Sequence, residues 1–71
     1  MNIEHLVKMA NQIGDFYKSF PNQEEAKSDI AKHMVNFWAS SMRKQVLAHV
    51  NTQNGEGLTP IVIDAIKQHI K

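Results

Sequence analysis

Apolar residues recur along the chain at intervals of three and four in stretches separated by turn residues, which is the period of amphipathic helices and not the alternation of strands. In the first stretch Ile3, Leu6, Val7, Ala10, Ile13, Gly14 and Tyr17 fall within a third of the helix circumference, and Asn2 stands where an N-cap is needed. The spacing predicts a helix over residues 3–17. Met9, Phe16 and Phe20 lie outside that stripe but beside Ile13, which widens the apolar arc to roughly half the circumference, more than one small core requires. Gly14 sits mid-stripe, where it costs about 1 kcal/mol of helix stability but lets another helix come close.

Phe20-Pro21-Asn22 breaks the pattern, and Asn22 followed by Glu25 has capping-box spacing, so a second helix is expected to begin near Gln23. Ala26, Ile30, His33, Phe37 and Ser41 line one stripe of it, while Ala31, Met34, Val35, Trp38 and Met42 carry the apolar surface round to a second edge. Glu25, Ser28, Asp29, Lys32 and Asn36 take the opposite, solvent face. Ser40-Ser41 weakens the helix, so residues 42 to about 50, with Val46, Leu47 and Val50 inward, read as a continuation through a kink near Ala39 to Ser41, a separate third helix being the alternative. Residues 51–57 read as a loop, with an Asn-Gly pair at 54–55 and with Gly55 and Gly57 free to take positive φ. Thr59-Pro60 then opens a last helix along Val62, Ala65, Ile66, His69 and Ile70. The fold class is all-α: a small bundle of three to four short helices forming one helical domain over residues 1–71.

Composition narrows what such a bundle can do. Seventy-one residues leave no room for a dinucleotide-binding unit or a barrel enzyme, so work on a large cofactor implies another subunit. A domain of this size buries only about 60% of its unfolded surface, which makes support from a partner plausible. Eight Lys+Arg against seven Asp+Glu give a net charge of +1, no footprint for nucleic acid or acidic lipid. The absence of cysteine removes thiolate zinc, iron–sulfur ligation and cysteine nucleophiles from this chain. No apolar run approaches the roughly 18 residues needed to span a bilayer and no signal-peptide pattern opens the sequence, so a cytoplasmic, soluble protein is expected.

Candidate chemistry is sparse. His5, His33, His49 and His69 form no metal-binding spacing, and His33 and His69 read as half-buried packing residues within apolar stripes. No Ser/His/Asp set has a recognisable frame, and Gly55-Glu56-Gly57 lacks the lysine and preceding strand of a phosphate loop, so catalytic, cofactor-binding and metal residues are all expected to be none. The informative cluster is Phe37-Trp38 with Met34 and Met42, because Trp, Met and Arg are the types enriched at protein interfaces. Phe37 fits the core; Trp38 fits core and partner surface equally. The candidate partner interface is therefore Met34, Trp38, Met42 and Arg43, together with Met9, Phe16 and Phe20, and the residues with structural roles are Gly14, Gly55, Gly57 and Pro60.

Three short segments, residues 9–14 (MANQIG), Phe37-Trp38 followed by Met42-Arg43, and residues 55–62 (GEGLTPIV), resemble in order and spacing the delta subunit of NAD-dependent formate dehydrogenase, nearly end to end. That family usually has a proline two residues after the tryptophan; here the position is Ser40, which implies a more continuous passage from the second helix to the third. The resemblance implies a non-catalytic accessory subunit of a cytoplasmic complex, bound to the large catalytic (alpha) subunit and supporting its assembly, stability or cofactor maturation. It further implies that molybdenum or tungsten pterin, iron–sulfur clusters, FMN and NAD sit on other subunits. The isolated chain is expected to associate at most weakly with itself. The alternative from another class is an independent helical regulator, homodimeric or a helix-turn-helix nucleic-acid binder using Arg43 and Lys44.

Overall fold

Helix starts are placed by side chains that take up otherwise free amides. Asn2 Oδ1 accepts from Glu4 N at 2.7 Å and Asn22 Oδ1 from Glu25 N at 3.0 Å, while Pro60 occupies a first turn where no amide hydrogen is needed. The computed structural model describes all 71 residues as α1 (Ile3–Tyr17), α2 (Gln23–Phe37), α3 (Ser40–Gln53) and α4 (Pro60–His69), without a strand. Between α1 and α2, Gln23 Nε2 donates to the carbonyls of Lys18 and Phe20 at 3.2 and 3.0 Å, closing the connection over residues 18–22.

All four helices contribute to one core. Leu6 and Ala10 come from α1, Ile30, Ala31 and Met34 from α2, Val46 and Val50 from α3, and Val62, Ala65 and Ile66 from α4, with Trp38, Leu58 and Ile70 supplied by the connections and the C-terminus. The expectation that α2 divides into a core stripe and a free second edge is corrected here. Its buried face is Ala26, Ile30, Ala31 and Met34, because α4 packs along the edge that carries Ala31 and Met34. His69, expected within the last stripe, points to solvent beyond that packing.

The passage from α2 to α3 also differs from a kinked continuation. Trp38 and Ala39 are both extended, at φ −94, ψ 142 and φ −62, ψ 151, and a new helix starts at Ser40. The break does not require proline: Trp38 must leave the helical path to reach the core, and Arg43 caps the end it leaves. The Arg43 guanidinium donates to Trp38 O at 2.7 Å and to Val35 O at 3.4 Å, satisfying carbonyls that have no intrahelical partner.

At its far end α3 runs to Gln53, three residues into the stretch expected to be loop. Within that last turn the Thr52 hydroxyl donates back to Ala48 O at 2.7 Å. Asn54 then turns left-handed at φ 57 and Gly55 follows at φ 68.

At Gly14, α1 and α4 approach closely. A Cβ added at Gly14 would lie 2.5 Å from Val62 Cγ2, so the glycine is what permits the spacing. One turn earlier Asn11 fixes it: Nδ2 donates to Gly57 O at 2.9 Å and Oδ1 accepts from Thr59 N at 3.0 Å. Lys27 links α2 to α4 by an ion pair of 3.6 Å to Asp64.

Gly14→Ala tests this contact against helix propensity. Alanine favours the helix by about 1 kcal/mol, yet Val62 is β-branched and stiff at χ1. Overpacking of about 1 to 3 kcal/mol should win, lowering the urea midpoint at unchanged slope; a raised midpoint would show that α4 moves aside freely.

Candidate functional site: an apolar groove beside α1

Opposite the face that meets α4, α1 carries Met9, Ile13 and Phe16. These residues, with Gln12 and Tyr17 of the same helix, His33 of α2 and the ring of Trp38, line an open groove of about 520 Å³. Phe16 is 69% exposed at its rim. Its ring meets Tyr17 edge-on at 4.9 Å between centroids, and Phe20 closes the trio at 5.1 Å from Tyr17, so half-buried Phe20 supports the rim. Across the groove the His33 ring lies 4.8 Å from that of Phe37, which is 74% exposed. Aromatic side chains held at such angles present large apolar area at little further loss of freedom.

The structure brings Met9 and Phe16 together as surface and removes others from it. Met34 is fully buried and Trp38 only 6% exposed, so both belong to this chain's own core and not to a free edge. Phe37, expected inside, is outside. The exchange has one cause: α2 ends at Phe37, and the extended backbone at Trp38 turns the next side chain inward instead of advancing it by a helical step. Met42 packs half-buried against the core, and Arg43 is spent on the α2 cap.

Gly55, Gly57 and Pro60 take the backbone roles expected of them. His49 and Asn11 do work that spacing did not signal. The His49 ring meets Glu56 O through Nε2 at 2.7 Å, and Asn11 reaches residues nearly fifty positions away. A polar residue flanking a mid-helix glycine was the available hint for Asn11; nothing marked His49.

The groove is mainly apolar, with Gln12 and His33 as its polar side chains. No three His, Asp or Glu side chains gather to hold a metal ion, and the chain has no cysteine. Its donors do not fit an iron–sulfur cluster, which needs thiolate ligands. No helix is long and apolar enough to cross a membrane.

The segments that gave the formate dehydrogenase resemblance are the ones that meet in space. Residues 9–14 and 55–62 form the α1–α4 brace, and residues 37–43 form the α2–α3 junction. In agreement, residues 5–71 match the family model of the NADH-dependent formate dehydrogenase delta subunit FdsD. The chain belongs to the FdsD family. No curated protein and no solved structure matches it significantly. For this FdsD chain the match covers everything from the first turn of α1 to the C-terminus, including every residue that lines the groove.

Burial separates the two aromatic neighbours at the α2 end into different roles. Trp38→Ala should destabilise the chain by about 3 to 5 kcal/mol, the range for emptying a large core site. Phe37→Ala should stay within about 0.5 kcal/mol of the parent. Urea unfolding of the two variants side by side decides it, and equal losses would place both rings in the core.

Proposed function

We propose that this chain is a non-catalytic accessory subunit of an NAD-dependent formate dehydrogenase, docking an apolar segment of the large catalytic subunit in the groove beside α1. The observation that carries the reading is Phe16, held 69% exposed over a groove walled by Met9, Ile13 and Trp38, in a chain of the FdsD family. Burying such an aromatic rim stabilises a complex without costing the free subunit its fold, since of the buried core only Trp38 reaches the groove.

In this proposal formate oxidation and NAD⁺ reduction take place in the assembly. Molybdenum or tungsten pterin, iron–sulfur clusters, FMN and NAD are bound by other subunits, in the cytoplasm. The chain contributes to assembly, stability or cofactor maturation of the catalytic subunit by covering an apolar surface there.

Phe16→Glu with Phe37→Glu puts two charges on this face while leaving the core alone. The tagged double variant, co-expressed with the other subunits, should keep its helicity and unfolding midpoint. It should recover far less catalytic subunit, by a factor of about 30 for a loss of about 2 kcal/mol. Undiminished co-purification with full formate-dependent NAD⁺ reduction would place the docking surface elsewhere.

A further inference from the structure

The turn after α3 contains a reactive pair that neither the core nor the groove uses. Of six asparagines, five precede Ile, Gln, Gln, Phe and Thr; only Asn54 precedes glycine. Its side chain is exposed, and Gly55 offers the backbone nitrogen least shielded by a side chain of its own.

We propose that Asn54 is a site of spontaneous deamidation whose rate is set by opening of the α3 C-cap. The Gly55 backbone nitrogen gives its proton to solvent base and attacks Asn54 Cγ. The bond from Cγ to the side-chain nitrogen breaks, ammonia leaves, and a five-membered succinimide closes. One water then hydrolyses either ring C–N bond, giving aspartate or isoaspartate. The balance is one water taken up and one ammonia released, with no change of oxidation state.

The folded turn holds this reaction back. At φ 57 and ψ 24 the Gly55 nitrogen is turned away from the Asn54 side chain. Its hydrogen is donated to His49 O at 3.2 Å. Leu58 N to Gly55 O at 2.8 Å and the His49 ring to Glu56 O at 2.7 Å pin the following residues. Ring closure needs these bonds released, so the rate follows the local opening equilibrium and not the exposure of the amide alone.

The product would weaken the turn that made it. Aspartate sets a carboxylate against the negative end of the α3 dipole. Isoaspartate lengthens the main chain by one carbon and shifts Gly57 and Thr59 from their bonds to Asn11.

The test is incubation of the full-length chain at mildly alkaline pH, followed by peptide mass spectrometry for the gain of about one dalton and for isoaspartate. Asn54 should convert several-fold faster than any other asparagine. The rate should rise several-fold in His49→Ala and, in the parent, should rise with urea below the unfolding transition. The urea series carries the test if His49→Ala does not fold. Conversion spread evenly over the asparagines, or none at Asn54 while the urea-unfolded chain reacts, would overturn the site. A folded-state rate equal to the unfolded one, or unmoved by sub-transition urea, would overturn the gate.

Discussion

The bundle depends on how closely α1 and α4 approach. Gly14 supplies the space for Val62, and Asn11 converts that proximity into one register by bonding both the carbonyl of Gly57 and the amide of Thr59. Those two groups lie in the connection, where the half-buried Thr59 amide must find a partner or carry the cost of its desolvation. With α4 so placed, its Val62, Ala65 and Ile66 can reach Ile30, Ala31 and Met34 on α2. A chain this short cannot rely on core area alone, so a brace that fixes the position of the last helix carries disproportionate weight.

The brace and the groove occupy opposite sides of the same helix. Asn11 and Gly14 face α4, while Met9 and Phe16 face outward. Recognition can therefore change on one face without touching the contact that holds the fold. The same separation appears at the end of α2, where Trp38 closes the core and lines the groove while Phe37, one residue earlier, stands exposed against the groove-lining His33 ring. The side chain that stabilises and the side chain that is presented are adjacent in sequence and divided by a change in backbone conformation.

For an FdsD chain this arrangement accounts for the surplus of apolar residues along α1. A helix that only had to pack in a bundle would carry a narrower stripe. Of the additional arc, Met9 packs half-buried against the core, Phe20 is half-buried and Phe16 is left exposed. On the proposed docking role, such a surface is rigid enough to lose little freedom when covered.

Local information by itself determined the helices and several of their ends. Caps at Asn2 and Asn22, the proline at 60 and the glycines after α3 act within a few residues, so their signals are complete in the sequence. The close-contact role of Gly14 was legible too, since a glycine inside an apolar stripe has few other reasons to persist. Tertiary structure alone decided which half of a half-apolar circumference is core. On α2 it was the edge of Ala31 and Met34, because α4 lies there, and periodicity cannot say which neighbour arrives on which side. It also decided the exchange of Trp38 and Phe37, which turns on two extended residues and an arginine cap that follow from packing a large ring. Asn11 joins residues nearly fifty positions apart, and such a bond exists only once the chain has folded back on itself.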